Sequence, residues 1–173
     1  DVLQGLQRQG VIGDLGISGG PIDMLIRYVE PGAFTAVETH NRYTLLNRSA
    51  LPLLDVAAAR GVAVVNAAPY GSGMLAKGPD VNARYAYQDA PPALVDRARR
   101  LAAICGAHGV PLPAAALQFS MRDPRVTSTV VGMTRPERID QTLSLAATPI
   151  PDELWTALEA AGVDMDDPEA GRW

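Results

Sequence analysis

At 173 residues the chain is long enough for one domain with its own core and short for two, and no apolar run approaches the roughly 20 residues of a membrane span. Its net charge is -4 and its basic residues are scattered, which excludes the basic stripe of a nucleic-acid surface. The single cysteine, Cys105, excludes an internal disulfide and predicts a reducing, cytoplasmic setting. The first ten residues lack the apolar core of a signal peptide, and the start on Asp1 predicts a piece cut from a longer polypeptide.

Val2, Leu3 and Leu6 share a helical face that closes at Arg8 and Gly10. Val11 to Ile17 then reads as a short strand broken by Ser18-Gly19-Gly20. Ile22, Leu25, Ile26 and Val29 follow at helical spacing until Pro31-Gly32. The second unit repeats this order. Phe34 to Thr39 is a predicted strand and His40 to Tyr43 a polar turn, and Ser49 is placed to cap a helix from Ala50 to Arg60 that ends at Gly61.

The third unit opens with Val62 to Val65, small and β-branched residues without helical spacing, as in a strand buried on both faces. It runs into Tyr70-Gly71-Ser72-Gly73, a loop whose glycines let backbone N–H groups approach an anion. The stretch from Ala76 to Pro92 exceeds an ordinary connection and predicts a lid. Helices over 93–108 and 114–121 follow.

In the fourth unit Val126 to Val131 is a predicted strand, and Thr134-Arg135-Pro136-Glu137 reads as a capping box opening a helix from Arg135 to about Leu145. A last helix over 152–161 turns Leu154, Trp155 and Leu158 inward. Residues 1–161 form the expected domain, and 162–173 an acidic, disordered tail in which Asp164, Asp166 and Asp167 read as solvated charge rather than metal ligands. Four strand-then-helix units imply an α/β protein with a parallel sheet. Either a small doubly wound sheet or half of an eight-stranded barrel accommodates them.

In order along the chain, LGIS (15–18), NRYTLLNR (41–48), GVAVVNAAPYGSGMLA (61–76) and VVGMTRPERIDQTL (130–143) resemble the C-terminal half of an aldo-keto reductase over roughly residues 1–160. Within that family the RYTLL run and the PYGSG loop look most like the bacterial L-fucose, L-galactose or D-threo-aldose dehydrogenases. The resemblance implies strands five to eight of a TIM barrel and NAD or NADP as cofactor. It assigns the family's catalytic Asp, Tyr, Lys and His to segments preceding this chain, so the chain alone is expected to be inactive and to carry no catalytic residue, and no ligand spacing in the sequence supports a metal.

The resemblance also implies a cofactor site. Ser18 matches the serine that bonds the nicotinamide carboxamide, with Gly19 where the family has Asn. His40 falls where many members place a Gln for the same amide. Tyr70, Gly71, Ser72, Gly73 and Leu75 match the loop over the pyrophosphate, and Gly132, Met133, Thr134 and Arg138 the adenosine segment, with Gln141 and Thr142 near the adenine. Arg138 suits stacking on adenine while pairing with phosphate. Gly132 stands where NADP-preferring members carry a cation, which leaves both cofactors in play. A non-catalytic nucleotide-binding or partner-assembling module is the competing reading. Open half-barrel edges predict self-association, with neither nucleic acid nor membrane as partner.

Overall fold

A computed structural model describes residues 2–170. Four short strands, β1 (Gly16–Ser18), β2 (Ala36–His40), β3 (Ala63–Ala67) and β6 (Ser128–Val130), form one parallel sheet whose spatial order β1-β2-β3-β6 follows chain order. The intervening β4 (Arg84–Tyr85) and β5 (Gln88–Asp89) make a separate antiparallel hairpin. The helices are α1 (Val2–Arg8), α2 (Ile22–Val29), α3 (Leu51–Arg60), α4 (Met74–Lys77), α5 (Pro92–Ala107), α6 (Leu112–Met121), α7 (Glu137–Ala146) and α8 (Asp152–Ala160). A doubly wound sheet reverses strand order at a switch point. Here it never reverses, so the architecture is that of half a barrel.

The pleat explains how the sheet sits. Val37, Thr39, Val64 and Asn66 are buried on the helix-covered face, where Leu25, Val29, Leu53, Leu54, Leu101 and Ala115 complete the core. The alternate residues Ser18, Glu38, Ser128 and Val130 are exposed on the opposite, inner face, which no helix covers among the described residues. Apolar side chains also stand out at the two ends of the helical layer, Val2 and Leu3 on α1 and Ile139 and Leu143 on α7.

Several boundaries differ from the sequence reading. The first strand is confined to Gly16–Ser18 because it is an edge strand, held only where it meets Ala36 to Glu38. Ser49 does not cap α3. Its hydroxyl donates to Asn47 Oδ1, and Pro52 in the first turn removes one of the N–H groups a cap would serve. No capping box forms at Thr134. The chain enters α7 through Pro136, and the amides of Arg138 and Ile139 are taken by the carbonyls of Arg135 and Pro136. The expected lid carries α4 and the β4–β5 hairpin, whose turn residues Ala86 and Tyr87 both have positive φ, the geometry of a tight hairpin.

The acidic tail is corrected most. Over 162–170 it packs back onto the domain, while 171–173 lie outside the described residues. Asp164 N–H donates to the Leu46 carbonyl, and the Asp164 carbonyl accepts from Arg48 N–H. Asp167 Oδ2 accepts the first free amide of α2, Ile22 N–H, at 3.0 Å, and Oδ1 accepts from Arg42 Nε at 2.6 Å. A fully buried guanidinium needs anions, and residues 167 and 169 supply them.

Candidate functional site

Parallel register brings the C-terminal ends of the strands to one rim, with His40 level with Ala67 and Ala67 with Val130. Three non-glycine residues just beyond these ends are left-handed, Asn41 (φ 59°), Ala68 (φ 55°) and Ser72 (φ 55°). Each such conformation costs about 1 kcal/mol, least for Asn. Strain gathered at the rim marks it as the place to look for function.

The glycine loop does not present its amides outward. Gly71 N–H donates to Ala68 O, Gly73 N–H and Leu75 N–H to Tyr70 O, and Met74 N–H to Gly71 O. Ser72 N–H donates to Asn41 Oδ1 at 3.0 Å. The expectation of backbone donors facing an anion is therefore corrected: these bonds close the turn and begin α4. Gly71 has φ 53°, which disfavours any side chain, and a Cβ there would lie 3.0 Å from Leu46 Cδ1, which would have to give by a few tenths of an ångström. Leu75 is buried in the core. The Ser72 hydroxyl donates to Asn41 and accepts from Ala86 N–H at 2.8 Å, while its carbonyl accepts from Asn82, so this serine pins the following excursion down.

Beside the loop lies a groove of about 570 Å³, within the range of small-molecule and cofactor sites. Tyr70, Ser72 and Gly73 form one wall, and Gly132, Met133, Thr134, Arg138, Gln141 and Thr142 the other. Nine of the residues singled out from sequence thus meet in one concavity. Lys77 and Arg135, which the sequence reading passed over, line it too. Among the described residues no carboxylate pairs with Lys77, Arg135 or Arg138, and Arg138 Nη1 donates to Gln141 Oε1 at 3.2 Å. Three uncompensated cations leave the groove positive. The Tyr70 hydroxyl is buried without a hydrogen-bond partner, and burial pushes its pKa up, so it stays a neutral donor. An orphaned donor beside three cations suits a diphosphate.

Ser18 and His40 do not line this groove. Ser18 is exposed on the inner face, in the same row as Glu38, Val65 and Ser128. His40 stands at the rim with Nε2 2.8 Å from Glu169 Oε1. Behind it the Arg42 guanidinium, buried, bonds Asp167 and the Gly20 carbonyl. Burial pushes the Asp167 carboxyl up, but the Glu169 N–H, Arg42 and the Ile22 N–H outweigh it and hold its pKa below the usual carboxylate range. Ion pairs separated by 125 residues leave no local pattern in sequence. Arg42 was thus legible only as part of a polar turn.

Residues 1–162 match the aldo/keto reductase family along nearly the whole chain. This chain belongs to that family. It is 38 % identical over 161 residues to the D-threo-aldose 1-dehydrogenase of a Pseudomonas species, covering 92 % of this chain and 49 % of that enzyme. To the pyridoxal 4-dehydrogenase of Microbacterium luteolum it is 40 % identical over 123 residues, 70 % of this chain and 36 % of that protein. An aldo-keto reductase of Bacillus halodurans solved in a holo form superposes with a TM-score of 0.77 at 20 % identity, over 98 % of this chain and 57 % of its own. The chain spans about half the length of the relatives it matches. For an aldo/keto reductase, an unreversed four-stranded sheet with one bare face is half of the barrel.

Proposed function

We propose that this chain carries the dinucleotide-binding half of an NAD- or NADP-dependent aldose or carbonyl oxidoreductase. The observation that carries the reading is the groove at the strand ends, lined by Lys77, Arg135 and Arg138 without a carboxylate partner among the described residues and by Tyr70, whose buried hydroxyl has no hydrogen-bond partner. In barrels and open α/β sheets alike, ligands bind at this end of the strands. Arg138, Arg135 and Lys77 hold the diphosphate, Tyr70 donates to it, and Gln141 and Thr142 border the adenine. From there the rim leads towards His40 and the inner-face Ser18, which take the nicotinamide carboxamide. When bound, the cofactor supplies the hydride acceptor or donor.

The substrate class follows the dehydrogenase relatives, a D-threo-aldose 1-dehydrogenase and a pyridoxal 4-dehydrogenase. The 173-residue chain alone does not turn over, because the resemblance assigns the acid/base series to strands preceding β1. The bare inner face and the open edges of β1 and β6 support association with a second copy.

Calorimetry tests the reading with ADP-ribose, NAD and NADP. Binding in the micromolar range is expected, with Arg138→Ala weakening it by roughly tenfold or more, as loss of a charged hydrogen bond implies. No heat from any of them at millimolar concentration refutes the proposal.

A further inference from the structure

Glu169 is almost wholly buried, 3 % exposed, although it lies in the acidic tail. Its carboxylate is held between two cation-capable groups. Oε2 lies 3.4 Å from Arg42 Nη2, and Oε1 lies 2.8 Å from His40 Nε2. That second contact is close but off line, so Oε1 has no aligned donor. A buried carboxylate oxygen left without a donor is unfavourable. An aligned hydrogen bond at this 2.8 Å separation requires only a turn of the His40 ring about χ2, a broad torsion.

A carboxylate can only accept, so the proton of a neutral imidazole facing it sits on Nε2. Nδ1 is then a bare acceptor. Among the described residues it makes no hydrogen bond, and the side chain keeps 22 % of its surface exposed at the rim. We infer that Glu169 is a positioning residue: it locks His40 in the Nε2–H tautomer, so that Nδ1 accepts from the carboxamide N–H of the nicotinamide. This rests on the dinucleotide reading above. A Gln at this place offers both a donor and an acceptor, whereas an imidazole fixed by a carboxylate offers the acceptor alone. The pair therefore selects for the amide N–H and one orientation of the carboxamide.

The chain has two histidines, which makes the test direct. His108 Nδ1 lies 2.9 Å from the Ile104 carbonyl, which can only accept, so His108 carries the opposite tautomer and serves as internal reference. Long-range ¹⁵N spectra of the 173-residue chain at about pH 8, where an ordinary imidazole is neutral, should show His40 with Nε2 protonated and Nδ1 bare. Glu169→Ala should give a mixture of tautomers and Glu169→Gln, whose amide oxygen still accepts, should restore the lock. His108 should stay unchanged in both variants and report that they are folded. Protonated Nδ1 in the wild type, or an unaltered His40 in Glu169→Ala, overturns the inference.

Binding supplies the second arm. NAD, but not ADP-ribose, should shift the wild-type Nδ1 resonance, a measurement that holds even if Glu169→Ala fails to fold. Wild type should bind NAD more tightly than the 3-acetylpyridine analogue, which has no amide N–H, by about three- to tenfold. Glu169→Ala should lose that preference and keep its affinity for ADP-ribose. An equal loss for ADP-ribose overturns the positioning role. Failure of the wild type to bind either compound instead refutes the dinucleotide reading, and the tautomer spectra still judge the Glu169–His40 pair.

Discussion

Asn41 Oδ1 accepts two hydrogen bonds from one residue, the Ser72 backbone N–H at 3.0 Å and its hydroxyl at 3.3 Å. The residue that follows β2 thereby holds the loop after β3, and the Asn41 carbonyl also accepts from the Tyr85 hydroxyl. Asn41→Gly keeps the left-handed backbone (φ 59°) but removes the side-chain acceptor. A stability loss of about 1–3 kcal/mol is expected in urea titration, with faster amide exchange at Ser72. Asn41→Ala should lose about 1 kcal/mol more from backbone strain. Wild-type stability in both variants would refute the coupling.

Arg42 has no exposed surface and stands among Asp167, Glu169 and the Gly20 carbonyl. Arg42→Met leaves the buried Glu169 and the half-buried Asp167 carboxylates without their cation, and a loss of about 3–5 kcal/mol is expected. Neutralising both partners in Arg42→Met/Asp167→Asn/Glu169→Gln should recover much of it. If the single variant costs less than about 1 kcal/mol, the tail is not anchored as described.

Two carboxylates set the acid side of the stability profile. Hydrogen bonds from Arg125 hold the Asp123 pKa down to about 2 against its burial, with the Tyr43 hydroxyl adding a further donor. Asp167 is also shifted down. For a depressed carboxyl the stabilisation is present above the unfolded value near 3.9 and is lost as pH falls through the folded value. Stability should therefore drop between about pH 4 and pH 2. Asp123→Asn should flatten that slope, and an unchanged slope would count against the Asp123–Arg125 pair as its source.

Cys105 is buried on α5, and burial pushes its thiol pKa up to about 11. Only the thiolate reacts readily. At pH 8 a thiol reagent should leave the native chain unmodified, with labelling that appears as urea unfolds it. Rapid stoichiometric labelling of the native state would contradict the packing of α5.

The sheet was legible because Val37 and Val64 stand in short apolar runs between turn residues, and the succession of such runs implies a parallel order. Strand ends were less so, since Val11 to Leu15 are apolar enough for a strand but have no second neighbour to extend their ladder. Thr134 shows the limit of a local rule. The capping pattern is present, yet backbone carbonyls serve the amides first, leaving Thr134 to the groove wall. The glycine loop was read by position correctly and by hydrogen bonding incorrectly, because Asn41, 31 residues away, takes the amide of Ser72. Lys77 and Arg135 look like ordinary surface cations in sequence, and only the groove brings them beside Arg138.

The most direct test is a crystal structure of the chain grown with ADP-ribose. The account predicts the diphosphate within hydrogen-bonding distance of Arg138 and the Tyr70 hydroxyl, with the adenine against Gln141 and Thr142. Density for the ligand outside this groove, with Arg138 and Tyr70 untouched, would contradict it.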